Sequence, residues 1–200
     1  MSLNDMDAIK NKLMKSTVGI AGIGGLGSNV AIALARAGIG RLIIVDFDSV
    51  EKSNLNRQAY TVDQIGMRKT EALMQNIAKA NPDVDVTAFF HRLEPGNMVE
   101  IFSCVDVVIE ALDNAATKVA FIEEISLAYP DKPLIAASGV AGIRGTERIM
   151  MKKSGTLYLI QDDKAPSSDD TIVLAPKVGL FAHWQASLAL EILLEGIHVD

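Results

Sequence analysis

A doubly wound α/β fold with a mainly parallel sheet is predicted for this chain, on three observations. Short apolar runs alternate with helix-periodic runs from Thr17 to Ala137, the order that builds a parallel sheet covered by helices. A glycine-rich turn, Gly22-Ile23-Gly24-Gly25-Leu26-Gly27-Ser28, joins the first apolar run to the helix-like run after it. Beyond Ala137 the alternation gives way to a hairpin pattern and a strongly apolar last segment, so a C-terminal β-hairpin annex and a closing helix are expected.

Residues 4–15 carry Met6, Ile9, Leu13 and Met14 at helical spacing in a polar background, which predicts an N-terminal helix laid against a neighbour. Thr17–Ala21 is the first strand. Asn29–Ala37 follows the glycine turn as a helix whose alanines allow close packing on a sheet, and Gly38 and Gly40 end it. Arg41–Val45 is a second apolar strand that delivers Asp46 at its C-terminal end, and Asp48–Tyr60 has no apolar period and is a loop.

Asp63 is placed as the cap of a helix running to about Ala80, with Ile65, Ala72, Leu73, Asn76 and Ile77 spaced helically and Lys69 inside it. Asn81-Pro82-Asp83 stops that helix, and Val84–Phe90 alternates like a strand. Pro95 opens a short helix to Ser103, Val105–Leu112 is a buried strand ending in Asp113-Asn114, Thr117–Tyr129 is helical, and Leu134–Ala137 is a strand. Gly145–Met151 and Thr156–Ile160 make the hairpin through Lys152-Lys153-Ser154-Gly155. The polar stretch 162–170 is expected to be mobile, and Pro176–Leu194 closes the chain. Without an internal repeat or a long linker, residues 1–200 read as a single domain.

The totals narrow the function. A chain of 200 residues, 49% hydrophobic but only 5% aromatic, suits an aliphatic α/β interior better than a surface for stacking bases. A net charge of −6 argues against nucleic acid as the main partner, since phosphate backbones call for a basic face. One cysteine, Cys104, excludes an internal disulfide and a cysteine-rich zinc site; its place before an apolar strand predicts a buried thiol. No apolar run is long enough to span a bilayer and no signal-peptide core is present, so a cytoplasmic protein without a membrane partner is expected.

Gly22, Gly24 and Gly27 satisfy G-x-G-x-x-G, and Asp46 lies 19 residues beyond Gly27. Glycines let a backbone approach phosphates at a helix N-terminus, and the acid holds ribose hydroxyls. This spacing serves NAD and ATP alike, because both carry a ribose. The loop Ser53–Gln58 separates them: Arg57 suits bidentate contacts to phosphate oxygens, Asn54 can donate to them, and Lys69 adds a second positive charge. Asp113, at the strand end where open α/β sheets bind ligands, suits Mg²⁺ held through one carboxylate plus phosphate oxygens. Taken singly, Arg57 and Lys69 also fit solvated surface positions, and Asp113 fits a helix cap. The histidines His91, His183 and His198 have no metal-ligand spacing, and Trp184 reads as a packing anchor.

Together these motifs resemble a known family. Gly22–Ser28, Asp46-Phe47-Asp48, Ser53–Gln58, Gly66-Met67-Arg68-Lys69 and Leu112-Asp113-Asn114 follow the order of the adenylating domains of ThiF, MoeB and the ubiquitin-activating enzymes. The similarity extends to His183-Trp184-Gln185-Ala186, and is greatest to the short second ThiF family of sulfur-carrier adenylyltransferases. The resemblance implies a Rossmann-like fold and ATP-dependent adenylation of the C-terminal glycine carboxylate of a small ubiquitin-like sulfur carrier ending in Gly-Gly. Pyrophosphate would be released, ATP and Mg²⁺ would be required, and the enzyme would be a homodimer.

The resemblance also implies roles for residues. Gly22, Gly24, Gly25 and Gly27 belong to the phosphate turn; Asp46 and Asp48 to the ribose end; Asn54, Arg57 and Lys69 to the phosphates; and Asp113 to Mg²⁺. Arg57, Lys69 and Asp113 carry the catalysis. The zinc cysteines of many relatives are absent here, as is a cysteine within 162–170, so chemistry is expected to stop at the acyl-adenylate or to take sulfur from another protein. Competing readings are a non-catalytic half of an activating complex, ATP-dependent activation of a tRNA base, and an NAD-dependent oxidoreductase.

Overall fold

A computed structural model describes residues 3–168 and 170–195, and its centre is a seven-stranded sheet. In chain order the strands are β1 (Thr17–Ala21), β2 (Arg41–Asp46), β3 (Asp85–Phe90), β4 (Val107–Glu110), β5 (Leu134–Ser138), β6 (Met150–Ser154) and β7 (Leu157–Gln161). The helices are α1 (Leu3–Met14), α2 (Gly25–Ala37), α3 (Lys69–Ala80), α4 (Ala115–Ala128) and α5 (Ala175–Leu193). The strand order is β3-β2-β1-β4-β5-β7-β6, parallel throughout except for β6 against β7. This is the doubly wound, Rossmann-like arrangement that the alternation predicts, with the closing helix in place.

Why β1, β2 and β4 sit centrally follows from their composition. Their side chains are buried on both faces, so a continuous run of Val and Ile loses no polar group to the interior. One core, containing Leu34, Leu73, Ile77 and Phe181, lies under α2, α3 and α5. A smaller one under α4 contains Phe102, Phe121 and Ile125, with the Phe102 and Phe121 rings edge to face. No helix among the described residues is long and apolar enough to cross a membrane.

Several boundaries differ from the sequence reading. Helix α2 starts at Gly25, four residues before Asn29, because packing against the sheet and α5 overrides the poor helix propensity of glycine. Helix α3 starts at Lys69. The segment around Asp63 is instead a separate 3-10 turn, Val62–Gln64, closed by reciprocal Thr61 and Gln64 contacts, and Gly66 at φ 90° breaks the chain from α3. The helix expected from Pro95 shrinks to the 3-10 turn Glu100–Phe102, after Gly96 at φ 90°.

The C-terminal hairpin is present as β6 and β7, and it is joined to the main sheet because β7 pairs in parallel with β5. Its strands also lie later than predicted on the first arm. Gly145 at φ 91° begins a 3-10 turn, Thr146–Arg148, and β6 starts at Met150. Gly155 and Thr156 make the two-residue turn. Residues 162–168 are in neither helix nor strand.

Candidate active site

The chain order of the parallel strands reverses between β1 and β4, and open α/β sheets bind ligands in the crevice beyond such a point. A cleft of about 790 Å³ opens there over the C-terminal ends of β1, β2, β4 and β5. The glycine turn forms one side of it, with Gly22, Gly24, Gly25 and Leu26 in the lining. Gly22 has φ 82°, and a Cβ there would stand 2.8 Å from the Ala111 carbonyl oxygen. Gly24 is the N-cap of α2, so the first amides of that helix have no carbonyl a turn back and present a phosphate-binding end. Gly27 lies outside the cleft. A Cβ on it would sit 1.9 Å from the Gly22 oxygen, so its glycine is needed for helix-to-strand contact.

Asp46 closes β2 with both carboxylate oxygens on backbone amides: Oδ2 accepts from Ile23 N at 2.8 Å and Oδ1 from Asp48 N at 2.8 Å. One acid thereby aligns the glycine turn with the loop after β2, and each oxygen keeps a lone pair for a ribose hydroxyl. Tyr60 donates its hydroxyl to the Ile23 carbonyl at 2.7 Å beneath the same turn. Burial, and then Asp46 and Asp48, push that hydroxyl far up, so it stays protonated. Lys69, at the first position of α3, is 5% exposed and donates to Asp48 Oδ2 at 2.7 Å. Its ammonium keeps two donors beyond that bond.

The loop before Tyr60 is pinned to both neighbours. Asn29 donates through Nδ2 to Gly25 O at 2.7 Å and to Arg57 O at 3.0 Å, and Ser28 Oγ accepts from Ala59 N at 3.0 Å. Ala175 N donates to Asn56 O at 3.1 Å, tying the loop to α5. Arg57 reaches the cleft with Nη1 held by Ser53 O at 3.1 Å and Asn56 Oδ1 at 2.8 Å, leaving Nε and Nη2 for a ligand. Asn54 does not line the cleft: its Oδ1 accepts from Glu51 N at 3.2 Å and caps the 3-10 turn Lys52–Asn54. Gln58 does line it, with a buried Oε1 that has no hydrogen-bond partner among the described residues, an acceptor open to a ligand donor.

Asp113 stands on the opposite side, exposed and in the cleft lining. The cap of α4 is Asn114, whose Oδ1 accepts from Thr117 N at 2.9 Å, which leaves the Asp113 carboxylate to the cleft. Among the described residues no three His, Cys, Asp or Glu side chains gather as a metal cage. A cation at Asp113 would take its other ligands from phosphate and water, the habit of Mg²⁺.

Three features escaped the sequence reading. Glu110, fully buried at the end of β4, pairs with Lys118 Nζ at 2.6 and 2.5 Å. Burial pushes its carboxyl up, against the lowering by Lys118. Asp162, after β7, accepts from Arg148 Nε and Nη2 at 3.0 and 3.1 Å and from Lys177 Nζ at 3.1 Å. Arg148 first, with Lys177 behind it, holds that carboxyl down at about 2. A lone acid in or just after an apolar strand was the available signal for both; the partners had none. Next to Asp46, Arg92 stacks over Phe47 with its guanidinium carbon 3.7 Å from the ring centre.

Two other expectations are corrected. Cys104 is exposed, since the chain enters β4 only at Val107. Trp184 is 37% exposed and so is only a partial anchor. His183 bonds its own helix, Nδ1 to Gly179 O at 2.8 Å, and His198 lies outside the described residues.

Known proteins share the sequence and the fold of this chain. The model of the ThiF family matches residues 4–198. The chain is 35% identical to the sulfur carrier protein ThiS adenylyltransferase of Escherichia coli (strain K12), over 94% of this chain and 76% of that protein. It is 30% identical to the adenylyltransferase and sulfurtransferase UBA4 of Yarrowia lipolytica, over 90% of this chain but 46% of that one, so it spans under half the length of that longer relative. Among solved structures, the E. coli tRNA N6-threonylcarbamoyladenosine dehydratase TcdA, crystallised with ATP, superposes with a TM-score of 0.85 over 94% of this chain and 89% of that one; at 24% identity this likeness speaks for the fold.

Proposed function

The chain belongs to the ThiF family, and on that premise we propose that it is an adenylyltransferase acting on the C-terminal glycine carboxylate of a small ubiquitin-like sulfur carrier ending in Gly-Gly. Residues 1–200 act as one adenylation domain, with ATP and Mg²⁺ in the cleft. The observation that carries this reading is the convergence of Gly24, Gly25, Asp46, Arg57, Lys69 and Asp113 on one crevice. Hydride transfer puts no new charge on the phosphates of its cofactor, whereas cleaving a triphosphate does, and an arginine, a buried lysine and a carboxylate suited to Mg²⁺ meet that charge.

The chemistry needs no general base. A terminal carboxylate has a pKa near ~3.5, so at neutral pH its oxygen is already a nucleophile for the α-phosphorus of ATP. A carboxylate O–P bond forms, the bond from the α-phosphorus to the bridging oxygen breaks, and pyrophosphate leaves with the electron pair. The barrier lies in bringing two anions together and in the charge gathering on the leaving group. Arg57 through Nε and Nη2, and Lys69 through its two remaining donors, meet that charge. Mg²⁺, held by Asp113, would neutralise phosphate oxygens when bound. Asp46 fixes the ribose, and Asp48 keeps Lys69 aimed across the cleft. The homodimer remains part of this proposal and is checked by light scattering.

The deciding experiment is ATP–pyrophosphate exchange with Mg-ATP and candidate carriers ending in Gly-Gly, followed by the mass of the carrier. A carrier heavier by one AMP supports the reading. Tight NADH binding overturns it, and ATP turnover that depends on tRNA in place of a carrier moves the substrate to a nucleic-acid base.

A further inference from the structure

The sheet splits where the cleft begins. β4 pairs with β5 only through Val108↔Leu134 and Ile109↔Ile135, although β4 stays on β1 through Ala21↔Glu110 and β5 stays on β7 through Ser138↔Gln161. Such a split orphans strand carbonyls in the interior, at a cost comparable to a lost hydrogen bond for each. Two side chains from opposite faces fill the gap. Gln185 of α5 donates through Nε2 to Glu110 O at 3.1 Å and Ile135 O at 3.3 Å. Lys118 of α4 donates to Ala137 O at 3.0 Å as well as to Glu110.

Glu110 joins this wedge to the site. Its Oε1 also accepts from Leu112 N at 2.7 Å, one residue before Asp113. Ala111 N meanwhile donates to Ala21 O at 2.9 Å, so the chain leaving β4 is held at consecutive residues until Asn114 caps α4. Asp113 is therefore an exposed carboxylate on a backbone clamped on both sides. Its clamp depends on a buried acid whose charge is balanced by Lys118.

We propose that the Glu110–Lys118 pair, wedged between β4 and β5, is the positioning element that sets the Asp113 carboxylate against the phosphates, and so governs metal–nucleotide affinity through Asp113, with Lys118 at the cleft wall and Glu110 behind it. The inference rests on the adenylation reading of the same cleft. Removing the Glu110 carboxyl group frees Leu112 N and strands a cation at the cleft floor. Removing both charges together avoids the uncompensated ion, and neutral replacement of a buried pair is often tolerated.

The test measures Mn²⁺ binding by electron paramagnetic resonance with α,β-methylene-ATP, beside metal-free binding of the same analogue, on the full chain. The double variant Glu110→Met/Lys118→Met, which removes the acceptor for Leu112 N together with the cation and is checked for its fold by circular dichroism, is expected to bind Mn²⁺ with the analogue about 10-fold more weakly, while metal-free analogue binding changes less than about 2-fold. Asp113→Asn should show the same split. Lys118→Arg, which keeps a cation beside Glu110, should retain most of the wild-type affinity. A folded double variant with wild-type Mn²⁺ affinity overturns the inference and leaves the adenylation reading standing. Wild-type protein that binds no metal with the analogue overturns both.

Discussion

Lys69 is the residue at which sequence and structure differ most usefully. A lysine in a polar stretch is ordinarily solvated, yet this one is 5% exposed with one ion pair, to Asp48 at 2.7 Å. The Asp48 side chain is 43% exposed, so loss of the lysine leaves a carboxylate that water can solvate, and the fold should survive. Lys69→Ala or Arg57→Ala is expected to lower ATP–pyrophosphate exchange by about 10²–10³ with an unchanged circular dichroism spectrum, the usual cost of one lost electrostatic donor. Near-normal exchange in either variant would remove that residue from the mechanism. Cys104 makes the opposite prediction. It is exposed and outside the cleft, so Cys104→Ser should leave exchange unaltered, and a thiol reagent should label the native protein.

Among the elements, α2 shows two separate reasons for a glycine. Gly38 ends the helix at φ 90° with no atom within 4 Å of an added Cβ, so its requirement is conformational alone. Gly38→Ala should cost about 1–2 kcal/mol, the penalty for a left-handed L-residue. Gly27 has ordinary helical geometry, but an added Cβ would overlap the Gly22 oxygen at 1.9 Å, backbone that belongs to the ligand turn. Gly27→Ala should therefore destabilise more than Gly38→Ala and also weaken nucleotide binding. Urea midpoints and analogue binding measured side by side decide it; a Gly27→Ala protein as stable as the Gly38→Ala one would show that α2 shifts freely. The hairpin strands teach the same lesson about local signals. Gly155 marked the turn in the sequence, but β6 starts late because Gly145 wraps around the Arg148 guanidinium, a neighbour that no local pattern announces.

At the scale of the whole molecule, Asp162 links the end of β7, the entry to β6 through Arg148 and the first turns of α5 through Lys177. Lys177 also donates to Ala141 O at 2.8 Å and Arg144 O at 3.2 Å, so the loop bordering the cleft after β5 hangs on the same ion cluster. The Asp162 carboxyl sits at about 2 in the fold against 3.8 as a free side chain. A depressed carboxylate stabilises fully above its unfolded value and loses that stabilisation as pH falls through the folded one, here between about pH 4 and pH 2. In urea titrations wild type should exceed Asp162→Asn in stability at pH 6, and the gap should narrow as the pH drops below 4. A gap that stays constant from pH 6 to pH 3 would deny the cluster its role.

By itself the sequence determined the strand and helix alternation, the glycine turn and the acids that end apolar strands, because each is written in neighbouring residues. Periodicity reports which face is buried, and a glycine cluster reports where backbone must bend or approach. It also brought forward Arg57, Lys69 and Asp113, since their order along the chain matches one family. Only the tertiary structure decided that Gly27 packs while Gly24 and Gly25 face the cleft, that Asn54 caps a turn, and that Glu110 meets Lys118 and Asp162 meets Arg148 and Lys177. These contacts join side chains on different elements. Their formation depends on where the sheet splits and which helix crosses the gap, and no single segment of the chain encodes that.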